Sequence, residues 1–321
     1  MKRASLAAFV LATAMAVCAG AAAQEQYPSR LITVVVPLTP GTTIDILARL
    51  FAESLSKRFG QQVIVANRPG AGGVIAAQTV AGAPADGYTV LLANSGHAIL
   101  GTLNKNLLFD PVADFAGVSL IGDAPTLVTV APSLGVRTLR QFVDLAKAKP
   151  GTINYGSAGI GTATHLAGAY FASRTGTELV HVPYTVSSTI IADLLGGRIH
   201  VTFAPAAFTL PLLQDGRLLA LAVAADEPIR EPIAVPTALA AGIDYQNATW
   251  YGFLAPAKTP RPVLQILHGA IAAASEDVEF TEKIRAQGIT PRNIGLGDFD
   301  THIRKDMERL EPLLKTIARA N

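Results

Sequence analysis

The run Ile32-Thr33-Val34-Val35-Val36-Pro37-Leu38-Thr39-Pro40-Gly41-Thr42-Thr43-Ile44-Asp45-Ile46-Leu47 decides the fold. Its first five residues are largely β-branched and are stopped by Pro37, which predicts a strand covered on both faces. Leu38 to Thr43 is turn chemistry, and apolar Ile46, Leu47, Leu50, Phe51 and Leu55 then recur at helical spacing up to Gly60. The same order follows downstream. Val63-Ile64-Val65 ends at Asn67-Arg68-Pro69-Gly70, a helical stretch covers Val74 to Ala81, and Tyr88-Thr89-Val90-Leu91-Leu92 ends at Asn94-Ser95-Gly96. Such βαβαβ alternation implies parallel strands with right-handed crossovers, so the loops after successive strands gather at the sheet edge where ligands bind.

A second copy of the plan begins after Leu127-Val128-Thr129-Val130. A helix over Leu139 to Lys147 precedes the strand Ile153-Asn154-Tyr155, the loop Gly156 to Gly161 and a helix from His165 to Arg174. Strand Leu179 to Val182, helix Ser188 to Leu195 and strand Val201-Thr202-Phe203, stopped by Ala204-Pro205, come next, and Leu218 to Val223 completes the sheet. From Pro260 onward helical spacing returns, which would carry the chain back to the first unit. No Pro/Gly/Ser-rich or charged linker separates the copies. The expected architecture is therefore α/β and two-lobed, each lobe a mainly parallel sheet flanked by helices, with a ligand cleft between lobes. Lobe I takes residues 27–124 and 251–321 and lobe II takes 125–250.

Of 321 residues half are apolar and 16% are charged, so the chain can bury a large core. Residues 1–23 have the form of a cleaved signal peptide: Lys2 and Arg3, an apolar stretch from Leu6 to Val17, then Ala21-Ala22-Ala23 before Gln24. Cys18, the single cysteine, follows Val17 and is a poor lipid-attachment site, and its loss with the leader removes disulfide and thiolate chemistry. The net charge of +2 falls to zero once Lys2 and Arg3 are gone, so no basic surplus exists to bind nucleic acid. No later apolar run is long enough to span a bilayer. The six histidines are scattered singly and no His-Glu-x-x-His occurs, so no metal or other cofactor is expected.

Two loops carry candidate chemistry. Pro40-Gly41-Thr42-Thr43-Ile44-Asp45 would offer backbone N–H groups and hydroxyls, Thr39 among them, at a helix start, where an anion is favoured; Asp45 would cap there, and the loop also suits an ordinary turn. Gly156-Ser157-Ala158-Gly159-Ile160-Gly161-Thr162-Ala163-Thr164-His165 is the matching cradle in the second lobe. It fits neither the dinucleotide fingerprint nor a P-loop. Asn94-Ser95-Gly96-His97 ends the third strand and either reads the ligand or caps a helix. His97 and His165 are ligand-facing or structural, and Tyr184 either lines or plugs the cleft. Arg68 to Gly73 reads as a structural turn away from the site, and Trp250-Tyr251-Gly252-Phe253 as hinge or core. Gly-x-Ser-x-Gly is absent, which weakens the alternative of a secreted serine hydrolase using Ser157 with His165 or His97.

Tyr27-Pro28-Ser29-Arg30, Asp45-Ile46-Leu47-Ala48-Arg49, Asn67 to Gly73, Asp86-Gly87-Tyr88-Thr89, Asn154 to Gly159, Gly161-Thr162 with His165-Leu166, His181-Val182-Pro183-Tyr184, Asp193 to Gly197 and Trp250-Tyr251-Gly252 together carry a family resemblance. Over the whole mature chain the sequence resembles the Bug or TctC-type periplasmic solute-binding proteins of tripartite tricarboxylate transport systems. That resemblance implies a type II-like periplasmic binding fold, without enzymatic activity, that captures a small organic carboxylate and delivers it to two integral membrane subunits. A sensor serving a signalling receptor is the alternative, and a monomer is expected. It further implies that Gly41, Thr42, Ser157, Ala158, Gly161 and Thr162 hold the carboxylate, with Asn94, Ser95 and His97 nearby; Thr39, Thr164, His165 and Tyr184 complete the candidate set. Two departures stand out. Thr42 replaces the second of two usual glycines, and Thr185-Val186 replaces a usual Lys-Gly, which removes a cation and favours a monocarboxylate or an aromatic acid over citrate.

Overall fold

The computed structural model describes residues 27–104 and 106–320. The leader and Cys18 lie outside them. In chain order the first lobe opens with β1 (Ile32–Val36), α1 (Thr43–Phe59), β2 (Val63–Asn67), α2 (Val74–Ala81), β3 (Thr89–Asn94) and the short α3 (Leu100–Leu103). Strand β1 pairs in parallel with both β2 and β3. Its side chains alternate between two cores: Ile32, Val34 and Val36 pack beneath α1, whereas Val35 packs with Ala76 and Val80 of α2. This explains why the run is apolar throughout rather than alternating.

The chain then crosses to the second lobe in one long strand, β4 (Phe115–Val130). Residues 115–125 of β4 pair with the returning strand β9, and residues 126–130 pair with strands of the second lobe. That lobe contains α4 (Leu139–Ala148), β5 (Ile153–Ser157), α5 (Ala163–Thr175), β6 (Leu179–Pro183), α6 (Ser187–Leu195), β7 (Val201–Pro205), α7 (Ala206–Gln214) and β8 (Leu219–Val223). Strand β9 (Ala248–Pro256) returns to the first lobe, followed by α8 (Arg261–Ser275), α9 (Val278–Ala286), β10 (Thr290–Ile294) and α10 (Asp298–Ala320). The strand order is β2-β1-β3-β9-β4-β7-β5-β6, with β10 and β8 both on β4.

Each lobe therefore holds three contiguous parallel strands, with β9 antiparallel to those of the first lobe and β4 antiparallel to those of the second. The sequence suggested lobes joined by extended strands but left their direction open, because a doubly covered strand is apolar in either direction. Helices cover both faces of both sheets. In the second lobe Phe142, Phe171 and Phe203 pack on one side, and Ile190, Leu194 and Leu213 on the other.

Two features join the lobes besides the crossing strands. Leu310 of α10 packs with Ile99 of the first lobe and Leu166 of the second, so the last helix straddles both. At the opposite side, Gly72 abuts the second lobe: a Cβ there would lie 2.5 Å from the Ile160 carbonyl oxygen, and φ is +66°. Only glycine fits that contact without displacement. Arg68 to Gly73 is thus not remote from the cleft; residues 69–73 line its mouth. Among the described residues no helix is long and apolar enough to cross a membrane.

Candidate functional site

Helices α1 and α5 start on opposite lobes and their first residues face one cleft that opens to solvent. Both start as they do because a strand ends in a Gly/Thr turn: β1 gives way to Gly41-Thr42 and β5 to Gly159-Ile160-Gly161-Thr162. Thr42 is the N-cap of α1, yet its hydroxyl donates to the Thr39 carbonyl (2.9 Å), so no side chain caps this helix. The first intrahelical bond runs from Ile46 N–H to Thr42 O at 3.0 Å, which leaves the amides of the first turn without an internal carbonyl. Thr162 caps α5 by accepting from His165 N–H (3.4 Å) and donates to the Gly159 carbonyl (2.7 Å). Two helix N-termini directed at one space make it attractive to an anion.

Asp45 holds the first turn in place. Its buried carboxylate accepts from Gly41 N–H (3.0 Å), from Arg49 Nε and Nη2 (both 3.0 Å) and from Asn67 Nδ2 (2.9 Å). Burial opposes its ionisation, but these bonds, Arg49 foremost, outweigh that and hold its carboxyl below the usual range. Asn67 Nδ2 also reaches the Leu38 carbonyl (2.9 Å), tying the turn to the end of β2. Arg49 thereby acts on the turn, not on the cleft.

Thr42, Asn94, Ala158, Thr162 and Thr164 line the cleft. The other candidates lie elsewhere, for reasons of hydrogen bonding. Gly41 N–H is committed to Asp45. Gly161 N–H donates to His165 Nδ1 (3.3 Å), and Ala158 N–H to Thr164 Oγ1 (3.0 Å), so the glycine loop satisfies much of itself. Ser157 is fully buried, 2.6 Å from His181 Nε2, and receives Gly159 N–H at 3.1 Å. Ser95 is buried outside the lining. His97 turns into its own lobe, with Nε2 2.7 Å from the Pro111 carbonyl and its ring edge-on to Phe115. Thr39 and Tyr184 stand at the mouth; Thr39 Oγ1 is 3.5 Å from Ser187 Oγ across the lobes, and Tyr184 OH donates to Asp193 (2.6 Å).

The hydrolase alternative loses its apparatus here. Neither His165 nor His97 engages the Ser157 hydroxyl; His181 does, outside the cleft lining, and among the described residues no carboxylate is hydrogen-bonded to that imidazole. His165 and His181 stack at 4.1 Å, and burial pushes each down to about 4, reinforced for His181 by its neighbour. His97, fully buried, is likewise pushed down to about 4.

Sequence reasoning missed part of the wall. Thr43, Ser187, Thr202, Thr249 and Tyr251 add polar atoms, and Leu38, Ile190, Ala204, Pro205 and Phe208 an apolar side. Thr202 to Pro205 were detectable as a strand end at the same sheet edge. Tyr251 was not, because its strand neighbour Trp250 points the other way, donating from Nε1 to Asp306 Oδ2 at 2.9 Å.

Residues 47–318 match the model of the tripartite tricarboxylate transporter family receptor. The chain belongs to that family. Protein BugT of Bordetella pertussis is 33% identical to the receptor over 270 residues, 83% of each chain. The R. palustris protein Rpa4515, solved with adipate, is 35% identical, with a TM-score of 0.85 over 90% of the receptor and 98% of that chain. The periplasmic binding protein BugD superposes with the same TM-score at 28% identity, covering 90% of the receptor and 98% of BugD. The receptor is thus an α/β periplasmic binding protein, a solute-binding component of a transport system and not an enzyme. A receptor of a tripartite transporter works with membrane partners.

The buried histidines give the receptor an acid-sensitive fold. An unfolded histidine takes up its proton near pH 6.5 and the three folded ones only near 4, so stability is full above about pH 6.5 and falls as pH drops towards 4. For His97 alone the loss by pH 5 is about 2 kcal/mol. Denaturant unfolding at pH 7 and pH 5 should show this drop, and a His97→Gln variant should show a shallower one. An identical pH slope in the variant would remove His97 from the account.

Proposed function

We propose that this receptor captures a small organic carboxylate between its lobes and passes it to two integral membrane subunits. The supporting observation is the convergence of the α1 and α5 N-termini, one from each lobe, on a cleft whose lining includes no charged side chain among the described residues. Each helix terminus contributes roughly 0.3–1 kcal/mol towards an anion, more when partly buried, and only a closed pair of lobes supplies both. Thr42, Thr162, Thr164 and Asn94 would bind the carboxylate, with Ala158 shaping the cradle and Asp45 positioning it. A solved relative at 35% identity holding adipate supports the ligand class. Export through a leader over residues 1–23 and lobes of residues 27–124 with 251–321 and of residues 125–250 belong to the same reading.

Thermal unfolding with matched carboxylates and their neutral amides tests it. The midpoint should rise with carboxylate concentration, by about 2.7 kcal/mol of stabilisation at a hundred times Kd, and stay flat with the amides. Equal stabilisation by an amide would show that the cleft does not select an anion.

A further inference from the structure

We propose that Gly72 is a positioning residue for ligand capture: with no side chain of its own, it lets the lobes close far enough for the α1 and α5 termini to reach one ligand. The inference rests on the two-lobed capture reading above and adds which contact sets the closed distance. Gly72 lies in the loop between β2 and α2, on the side of the molecule away from α10, and meets the second-lobe loop that leads into α5. A Cβ built on it would lie 2.5 Å from the Ile160 carbonyl oxygen and 3.5 Å from Gly161 Cα. Gly96, just after β3, approaches the same loop from another segment: its Cβ would stand 3.3 Å from both the Gly161 carbonyl oxygen and the Ala163 nitrogen. The start of α5 is thus met by bare backbone at two points of the first lobe. This seam lies over the ligand space, because Leu38, Ala158 and Ser187 line both the deep cleft and the mouth that Gly72 borders.

The loop is shaped for that approach. Gly70, Ala71, Gly72 and Gly73 all have positive φ, and Ala71 (+47°) is the one such residue other than glycine among the described residues. Gly73 N–H closes the loop on the Gly70 carbonyl at 3.0 Å. Backbone held this way persists only where its surroundings fix it. A methyl group at position 72 would have no flexible neighbour to push aside, since the obstructing atom is a main-chain carbonyl oxygen. Ordinary contact returns only if the seam opens by about 1 Å. The pull of a helix terminus on an anion fades within its first turn, so lobes held apart lose the grip that needs both termini together.

Cross-linking without ligand tests the seam. Thr39 Oγ1 and Ser187 Oγ stand 3.5 Å apart across the lobes, and no cysteine follows Cys18. A Thr39→Cys/Ser187→Cys pair should therefore form a disulfide in a glutathione buffer. Adding Gly72→Ala should slow this at least about tenfold by depopulating the closed lobes, whereas adding Gly60→Ala should not. Gly60 is the matched control: its φ and ψ are +63° and 14° against +66° and 14° at Gly72, yet nothing lies within 4 Å of its Cβ. An unchanged rate with Gly72→Ala, equal slowing by Gly60→Ala, or a parent pair that does not cross-link would each overturn the proposal. Calorimetric titration with adipate and hexanoate, in proteins that keep Thr39 and Ser187, reads the consequence for capture. Gly72→Ala should bind whichever acid the wild type binds at least about tenfold more weakly, and Gly60→Ala as tightly as the wild type. Unchanged affinity in Gly72→Ala would also overturn the proposal. Binding of neither acid by the wild type would count against the carboxylate reading and leave cross-linking to judge Gly72, so the two failures are distinguishable.

Discussion

Thr42→Asp is expected to abolish carboxylate binding while leaving the receptor folded. Aspartate is as good an N-cap as threonine, and the present side chain does not cap α1, so the substituted carboxylate gains the orphan amides of the first turn. It also places a fixed negative charge in the space that the ligand needs. Two unit charges about 4 Å apart at the effective dielectric of a partly solvated site repel by about 4 kcal/mol, close to three orders of magnitude in affinity. Thr42→Ser keeps the hydroxyl that reaches the Thr39 carbonyl and should bind within a few-fold of wild type. Titration of both variants, with thermal unfolding as the control, checks this. Retained binding in a folded Thr42→Asp protein would place the ligand away from the α1 terminus.

Asp45→Ala should cost the fold about 2–3 kcal/mol and weaken ligand binding more than tenfold. One buried carboxylate accepts from Gly41, Arg49 and Asn67, and its removal strands the Gly41 amide and an Asn67 amide hydrogen at the turn that shapes the cradle. The figure sits below that for a fully buried ion pair because Arg49 is half exposed and regains water. Arg49→Ala, which leaves the Gly41 and Asn67 bonds intact, should cost less stability and little affinity. Denaturant unfolding and titration of the two variants separate the roles. Equal effects would mean that the ion pair, not the turn amide, is what matters.

Both predictions turn on residues whose type was legible and whose commitments were not. The β1 run, its proline stop and the Gly-Thr turn before a helical repeat were enough to place a helix terminus at a sheet edge. The second loop repeated the argument in the second half of the chain. What the pattern left open was where each hydrogen bond goes. Ser157 finds its partner 24 residues away, and His97 finds the Pro111 carbonyl inside its own lobe. Gly161 gives its amide to a histidine four residues on. Candidates chosen by residue type in the right loops therefore divided into those that line the cleft and those that brace it.

By itself the sequence determined two α/β units, strands covered on both faces, and anion-ready turns at matching strand ends. Those properties depend on local periodicity and turn chemistry, which are written in neighbouring residues. The tertiary structure alone decided that β4 and β9 pair antiparallel where the chain passes between the lobes, that Phe208 and Tyr251 join the cleft wall, and that Asp45 consumes the Gly41 amide. Each of these is a pairing between distant segments, fixed by which groups the closed molecule removes from water together and must satisfy there.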